Sequence, residues 1–299
     1  MATLRQQIRR LVPASLRPHL GSLRRRVRAH PLLVESHRQR LLEDPALGAR
    51  RAALLAGVST RVHPDDGMYA GEGAHYFAAG LSAVDCVDEV LRRAAPTGVR
   101  AALDLPSGYG RELRFFVRRF PAAAFTACDI QPGAVRFCAA AFGATPVVSQ
   151  PDLEQIAFAR RFDLVWCGSL VTHLDAAATR SLLRLFARSL GPRGVMIFTT
   201  HGDSVAERIV GDGAFYDMPR DYAEAIADSY AATGHGYHDY PRGLGYFDFH
   251  PEGSGYGISL TSPAWVRAAV AEIGGLREVY FAPRGWANHQ DVYGFQKPG

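Results

Sequence analysis

Short apolar runs alternate with segments of helical periodicity from residue 99 to the end of the chain. The apolar runs predict seven strands, at residues 101–105, 125–130, 146–148, 162–167, 195–200, 276–282 and 292–296. The segments between them predict helices at residues 111–120, 132–142, 176–190 and 263–273. Repeated alternation of strands and helices is typical of a doubly wound α/β fold. We therefore expect a mostly parallel seven-stranded sheet with helices on both faces.

Two long segments do not follow this alternation. Residues 1–57 combine helical spacing with many arginines, which predicts a basic helical N-terminal arm ahead of a domain at 58–299. Residues 202–262 are rich in Gly, Tyr and Asp, show weak periodicity and are too long for an ordinary connection. We expect this segment to form a cap or lid inserted after the fifth strand. Residues 283–291 are predicted to be the loop between the last two strands.

The composition is that of an ordinary globular protein, with 47% hydrophobic and 21% charged residues. No apolar run reaches the roughly 18 residues that a membrane span requires. Arginines interrupt every candidate signal sequence near the N-terminus, so we expect a cytoplasmic protein. The four cysteines form no pair or cluster at metal-binding spacing. We therefore expect reduced, mostly buried thiols and no metal site.

The net charge of +5 is unevenly distributed along the chain. Residues 1–51 carry about +9 and the remainder about −4. The acidic balance of the remainder argues against an extended track for nucleic acid. The basic arm either packs on the domain or on a partner subunit, giving a homodimer, or binds anionic lipid or nucleic acid.

A glycine-containing turn follows the first predicted strand and leads directly into a helix. Gly108 and Gly110 allow the backbone to turn tightly and to approach a ligand closely. A dinucleotide fingerprint would need a third glycine at Leu113, which argues against a dinucleotide. Asp129 ends the next strand, where an open α/β fold reads the ribose of a bound nucleotide, although it could instead cap a loop.

These segments resemble the class I S-adenosylmethionine (SAM)-dependent methyltransferase family over residues 99–201. The resemblance implies SAM as the cofactor, Asp129 at its ribose, and Asp152 at the adenine amino group with a backbone contact from Leu153. Further cofactor positions are implied on the glycine loop and at strand ends: Asp104, Pro106, Ser107, Gly108, Tyr109, Gly110, Ile130, Cys167, Gly168 and Ser169.

The sequence also departs from the pattern of this family. Pro106 stands where the first glycine of the loop is usual, so we expect altered loop geometry with SAM binding retained. The loop after the fourth strand lacks the Asn/Asp-Pro-Pro-Tyr type of sequence that the superfamily uses for amino groups of bases or glutamine. This absence argues against methylation of a nucleobase.

An oxygen nucleophile must lose a proton, and a positioned histidine is the commonest group that takes it. The candidate bases are His173, His201, His250 and His289. We slightly favour His201, because it directly follows the fifth strand and should lie at the carboxyl edge of the sheet. His289 should reach the same edge from the last loop, where Asp291 could orient its imidazole. Both histidines could instead brace loops, and His173 could be a hydrogen-bonded histidine ahead of a capped helix.

The expected reaction is transfer of a methyl group from SAM to an oxygen or nitrogen of a small polar metabolite, such as a sugar or a secondary-metabolite intermediate. Near a helix predicted at residues 76–95, Tyr69, His75 and Tyr76 either line the acceptor pocket or pack in the core. Two alternatives stay open. One is a methyltransferase for RNA or protein that docks through the arm, and the other is a SAM-binding module without catalysis.

Overall fold

The computed structural model describes residues 17–69, 73–96, 98–211, 216, 218–240 and 255–299. The first sixteen residues of the predicted arm lie outside these ranges. The chain forms two compact units, Met1–Ala78 and Ala79–Gly299. The boundary predicted at residue 57 falls inside the first unit.

The described part of the first unit is helical. It contains α1 (Arg17–Arg28), α2 (Pro31–Leu42), α3 (Ala49–Ala56) and the beginning of α4 (Gly73–Ala94). Helix α2 begins at a proline, which suits a first helical turn, and the His30 side chain accepts from the backbone N–H of Leu32. Arg38 donates to the carbonyl of Ala56 at 2.6 Å and so fixes α2 against the end of α3.

The second unit contains the predicted sheet. The strands of this unit are β1 (Ala101–Asp104), β2 (Ala124–Asp129), β3 (Thr145–Val148), β4 (Phe162–Cys167), β5 (Leu190–Thr200), β6 (His235–Asp239), β7 (Gly257–Thr261), β8 (Arg277–Trp286) and β9 (Gln290–Gln296). Its helices after α4 are α5 (Leu113–Arg119), α6 (Pro132–Phe142), α7 (Ala176–Ser189), α8 (Asp203–Gly211), α9 (Arg220–Thr233) and α10 (Pro263–Ala271).

Seven strands form one sheet in the order β3-β2-β1-β4-β5-β9-β8. The pairs among β1 to β5 are parallel, while β9 runs antiparallel to both β5 and β8. The mostly parallel seven-stranded sheet is therefore confirmed. The chain winds outward from β1 to one side and from β4 to the other, so the order reverses between these two strands. In such sheets ligands bind beyond the carboxyl ends of the strands at this reversal.

Helix ends and the core follow from local sequence. Helix α6 begins with Pro132 in its first turn and ends at Gly143, whose φ of +72° is easily adopted by glycine. The main core lies between the central strands and α7, with Leu103, Val165 and Phe198 fully buried or nearly so. All four cysteines are buried and free, as the sequence predicted.

The segment after β5 folds around an apolar cluster of its own. Helices α8 and α9 and the antiparallel pair β6–β7 bury Ile209, Ile226, Ile258 and Leu260. Strand β7 is also joined to the end of β5, because the N–H of Thr261 donates to the carbonyl of His201 at 2.9 Å. Among the helices within the described ranges, none is both long and apolar enough to cross a membrane.

The predicted loop at residues 283–291 is wrong in most of its length. Strand β8 continues to Trp286 and β9 begins at Gln290, so the connection is a tight turn. Ala287 and Asn288 adopt φ of +52° and +55°, and the N–H of His289 donates back to the carbonyl of Trp286. Pro283 misled the prediction. It lies in an edge strand near an irregularity in the strand pairing, where a missing N–H is tolerated.

Candidate active site

The glycine loop connects β1 to α5 at the carboxyl edge of the sheet. The N–H of Ser107 donates to the carbonyl of Cys128, and the N–H of Gly110 donates to the carbonyl of Ser107. Gly108 and Gly110 have φ of +47° and +76°, which L side chains rarely adopt. The peptide bond between Leu105 and Pro106 is cis.

The two glycines have different surroundings. A Cβ atom on Gly110 would lie 2.4 Å from the ring of Phe142, whereas one on Gly108 would meet nothing within 4 Å. Gly110 therefore permits close packing between the loop and α6. Gly108 instead leaves open space along the backbone, which is what close approach of a ligand requires.

Two alanine substitutions should separate these roles. Gly110→Ala should lower the free energy of unfolding by about 2–4 kcal/mol, because its Cβ atom overlaps the partly buried ring of Phe142 as well as straining φ. Gly108→Ala should cost only about 1 kcal/mol and should mainly weaken SAM binding. Urea unfolding and calorimetric titration of SAM measure both effects. Equal destabilisation by the two variants would contradict this division.

Asp104 ends β1 directly before the loop and is 1% exposed. Neither carboxylate oxygen has a hydrogen-bond partner among the described residues. Burial, together with the nearby Glu112 and Asp129, raises the pKa of Asp104 well above its ordinary value. A bound cationic group that donates hydrogen bonds would offset this burial. The site therefore fits the ammonium end of SAM beside the open backbone at Gly108.

Asp129 ends β2 and joins it to the glycine loop. Its carboxylate accepts the N–H of Gly108 at 2.8 Å and the N–H of Gln131 at 2.9 Å. Burial raises the pKa of Asp129, while these backbone hydrogen bonds act in the opposite direction. The backbone of Ile130 also hydrogen-bonds to this carboxylate. A carboxylate can accept about four hydrogen bonds, so acceptor capacity remains for a ribose hydroxyl.

The other cofactor candidates differ in exposure. Pro106, Tyr109, Ile130 and Leu153 are partly exposed, whereas Ser107 and Cys167 are buried. Asp152 is exposed and begins a short 3-10 helix, where it accepts the N–H of Glu154 at 3.0 Å. This contact explains how the predicted adenine segment keeps its shape. The role of Asp152 toward a ligand stays a prediction.

The loop after β4 contains Gly168 and Ser169. Ser169 has φ of +63°, and its N–H donates to the hydroxyl of Thr199 on β5 at 2.8 Å. The amide of Gln290 completes this buried network, because it accepts from Thr199 and donates to the Ser169 hydroxyl. A Cβ atom on Gly168 would lie 3.0 Å from the indole nitrogen of Trp166. The loop is therefore held rigidly between β4, β5 and β9.

Two of the predicted bases meet at one hydroxyl group. The Tyr216 hydroxyl lies 3.0 Å from Nε2 of His201 and 2.5 Å from Nε2 of His289. The two imidazole centroids are 5.4 Å apart. His201 is 1% exposed, and burial, with smaller effects from His173 and His289, holds its pKa well below the ordinary value. His201 is therefore neutral at physiological pH. We refer to His201, Tyr216 and His289 as the His–Tyr–His group.

The position of His289 depends on how the β8–β9 turn is anchored. The indole N–H of Trp286 donates to the carbonyl of Ala79 at 3.0 Å, and the N–H of Ala287 donates to the Ser82 hydroxyl at 2.9 Å. Both acceptors lie on α4. The turn that carries His289 is therefore fixed at two points.

Asp291 is buried and contacts backbone on two sides. Its carboxylate accepts the N–H of Arg284 at 2.9 Å, and a Cβ atom on Gly202 would lie 2.0 Å from its Oδ2 atom. The imidazole of His289 hydrogen-bonds to the Tyr216 hydroxyl. The structure thus gives Asp291 a bracing contact with β8, and its predicted action on the imidazole stays a prediction.

His173 lies on a short 3-10 helix after β4, next to strand β7. Its Nδ1 atom is 2.9 Å from the carbonyl of Gly257 and 3.0 Å from the Tyr240 hydroxyl. Within the described ranges, no group of three or more His, Cys, Asp or Glu side chains is arranged to hold a metal ion. His250, the fourth candidate base, lies outside the described residues.

The aromatic candidates near α4 have partners within the first unit. The Tyr76 hydroxyl donates to Asp66 at 2.7 Å, and the Tyr69 hydroxyl lies 2.6 Å from Nδ1 of His37. Both tyrosines are buried, whereas His75 is exposed. Their surroundings are those expected for core packing, the second of the two predicted roles.

Buried neutral histidines should make the fold sensitive to acid. Burial lowers the pKa of His235 to about 4, below the ordinary value of about 6.5. Because the unfolded state binds a proton first, this contribution to stability is complete above pH 6.5 and is lost as the pH falls toward 4. His235→Gln should reduce the loss of stability between pH 8 and pH 5 by about 1–2 kcal/mol, because pH 5 lies about 1.5 units below the ordinary pKa. Urea unfolding at both pH values tests this, with His75→Gln as the exposed control. An unchanged pH dependence in His235→Gln would count against it.

Sequence reasoning did not identify Tyr216. It lies 15 residues from His201 and 73 from His289 in the chain, within a segment of weak periodicity. The Tyr-rich composition of that segment was the available signal. Composition alone does not select one tyrosine among several.

One protein-family model matches the part of the chain that contains the glycine loop. Residues 102–194 match the family described as "Methyltransferase domain". This range includes the glycine loop, Asp104, Asp129, Asp152 and the loop after β4. No curated protein matches the sequence.

Structural comparison finds three similar folds among others. N-methyltransferase NodS from Bradyrhizobium japonicum WM9 is 15% identical, with a TM-score of 0.43 over 73% of this chain and 94% of that chain. Human N-acetylserotonin methyltransferase in complex with SAM is 12% identical, with a TM-score of 0.49 over 78% and 56% of the two chains. 1,6-Didemethyltoxoflavin-N1-methyltransferase from Burkholderia thailandensis is 13% identical, with a TM-score of 0.48 over 73% and 79%.

Proposed function

We propose that this chain, which carries a class I SAM-dependent methyltransferase domain, methylates an oxygen or nitrogen of a small polar metabolite, such as a sugar or a secondary-metabolite intermediate. The observation that carries the proposal is the His–Tyr–His group at the carboxyl edge of β5. Two imidazoles that contact one hydroxyl can relay a proton away from an acceptor. A hydroxyl acceptor needs this proton transfer, whereas a neutral amine can attack without it, so the group favours an oxygen acceptor.

The cofactor half of the site is assigned to the loop between β1 and α5 and to the end of β2. When bound, SAM supplies an electrophilic methyl group on a positively charged sulfur. Asp104 would accept from its ammonium group, Asp129 from its ribose hydroxyls and Asp152 from its adenine amino group. The buried, unpartnered oxygens of Asp104 and the open backbone at Gly108 support this assignment.

The acceptor half of the site is assigned to the His–Tyr–His group. We assign the Nε2–H tautomer to His201, so that it donates to the Tyr216 oxygen while the Tyr216 hydroxyl donates to Nε2 of His289. An acceptor hydroxyl that meets the Tyr216 oxygen then loses its proton to Tyr216 as Tyr216 passes its own to His289. His289 is partly exposed and can release the proton to water.

The segment at residues 202–262 is proposed as a cap that bounds the acceptor site. It contributes Tyr216 to the group, and its strand β7 contacts both His173 and His201. A cap that supplies part of the proton path would couple acceptor binding to catalysis. Exclusion of water by such a cap would also protect the reacting groups.

The experiment that tests the proposal combines binding and transfer. Calorimetric titration with SAM should show saturable binding. Incubation with SAM labelled in its methyl group and a panel of phenols, sugars and glycosides should label at least one of them. Label transferred only to RNA or to protein would overturn the small-molecule acceptor, and SAM binding without any transfer would indicate a binding module.

A further inference from the structure

An exposed apolar and basic surface lies on the first two helices of the chain. Among the described residues, Leu23 is 58% exposed, Val27 57%, Leu32 75% and Leu33 37%. Single exposed apolar side chains are common, but several that lie close together mark a site that contacts a protein or a membrane. We call this set, together with the exposed Arg24 and Arg26, the α1–α2 surface.

The geometry of α1 separates its apolar face from its basic face. Leu23 and Val27 are four residues apart, so they lie on the same side of the helix. Arg25 lies on the opposite side, because each residue advances the helix by about 100°. There it forms an ion pair with Asp65 of the same unit at 3.0 Å. The side of α1 that carries Arg25 therefore faces its own unit, and Leu23 and Val27 on the opposite side face outward.

The charge of this region is uniform in sign. Residues 1–34 contain eight arginines and no aspartate or glutamate, and they contain no Phe, Trp or Tyr. Arg24 and Arg26 flank the apolar side of α1, each about 60° from the nearer apolar residue. A helix with apolar residues on one side and arginines beside them matches an interfacial segment that lies in the headgroup region of an anionic bilayer.

We infer that the α1–α2 surface binds an anionic lipid bilayer and places the enzyme at a membrane surface. Leu23, Val27, Leu32 and Leu33 would enter the apolar boundary of the bilayer, while the arginines pair with headgroup phosphates. A single-stranded nucleic acid is a poorer match, since such sites stack bases on aromatic side chains and the stretch has none. A second copy packed through α1 is also a poorer match, because it would bring arginines against arginines.

The test uses the full chain and sucrose-loaded vesicles. Wild-type protein should sediment with vesicles of phosphatidylcholine and phosphatidylglycerol, less so as salt is raised, and weakly with phosphatidylcholine alone. The double variant Leu23→Glu/Val27→Glu should lower this binding at least about tenfold. The double variant Met68→Glu/Val148→Glu changes the charge equally at sites 56% and 50% exposed outside the α1–α2 surface, and should bind as wild type. SAM affinity and circular dichroism show that both variants are folded.

Four results would overturn the inference. They are absence of vesicle binding, equal binding to both vesicle types, wild-type binding by the Leu23→Glu/Val27→Glu variant, and equal loss in the control variant. A labelled RNA oligonucleotide bound in place of vesicles would assign the surface to nucleic acid. A wild-type dimer that becomes a monomer on Leu23→Glu/Val27→Glu, without vesicle binding, would assign it to self-association.

Discussion

Asp129→Ala is expected to weaken SAM binding by about tenfold or more in a protein that stays folded. The carboxylate holds the glycine loop through the N–H groups of Gly108 and Gln131 and has acceptor positions left for the ribose. Both contributions are lost together in the alanine variant. Isothermal titration calorimetry with SAM measures the effect, and thermal unfolding without SAM measures the cost to the loop alone.

A matched control separates the two contributions. Asp163 also accepts two backbone N–H groups, from Arg100 at 2.8 Å and Ala101 at 3.0 Å, but at the opposite end of β1. Asp163→Ala should lower thermal stability to a similar extent and leave SAM affinity unchanged. Loss of affinity in Asp163→Ala equal to that in Asp129→Ala would show that loop stability alone explains the effect.

An analogue of the cofactor product tests the ribose contact itself. Wild-type protein should bind S-adenosylhomocysteine more tightly than its deoxyribose analogue. In Asp129→Ala this difference should disappear, because the group that reads the missing hydroxyl is gone. An undiminished preference for the ribose form in the variant would refute the ribose assignment.

The sequence predicts most of the sheet because central strands are buried on both faces. Runs such as Phe162–Cys167 are almost entirely buried, so nearly every position is apolar and the strand stands out from its neighbours. Helix α6 is predicted to the residue, because Pro132 marks its first turn and Gly143 its end. These are local signals that do not depend on distant contacts.

The elements that were not predicted depend on other forces. Strand β8 contains Pro283 and is half-exposed, because it lies at the sheet edge, so its pattern resembles a loop. In the cap, a small separate cluster buries few positions of α8 and α9, namely Val205, Ile209, Ala223 and Ile226. Weak periodicity in that segment therefore reflects a small core and not an absence of structure.

The candidate site divides in the same way. Asp104, Gly108, Gly110 and Asp129 follow strand ends that the sequence predicts, so their approach at one edge could be foreseen. Contacts between His201, Tyr216 and His289 depend on where the cap and the β8–β9 turn lie. Such contacts join residues far apart in the chain, and spacing along the chain does not reveal them.

His289→Gln is expected to lower turnover by about 10²–10⁴-fold while leaving SAM affinity nearly unchanged. The sequence slightly favoured His201 as the base, but its burial and its depressed pKa make it a poor proton acceptor.

The proposed proton path ends on His289 and crosses the Tyr216 hydroxyl, so Tyr216→Phe should cause a loss of turnover of similar size. His201→Gln keeps a side-chain N–H that can donate to Tyr216, and about tenfold loss is expected. Single-turnover methylation of an acceptor found in the panel, followed across pH, measures all three variants.

A proton path and a merely structural role predict different pH behaviour for these variants. Without an internal base, the rate in His289→Gln should rise with pH as the acceptor ionises in water, and added imidazole should restore part of it. The control is His238→Gln, which removes an imidazole that stacks on Tyr222 in the cap at 3.7 Å between ring centroids. This variant should keep the wild-type pH profile and show no response to imidazole. If His289→Gln behaved like the control, or if only its SAM affinity fell, His289 would be a bracing residue, and the enzyme would rely on alignment of the acceptor alone.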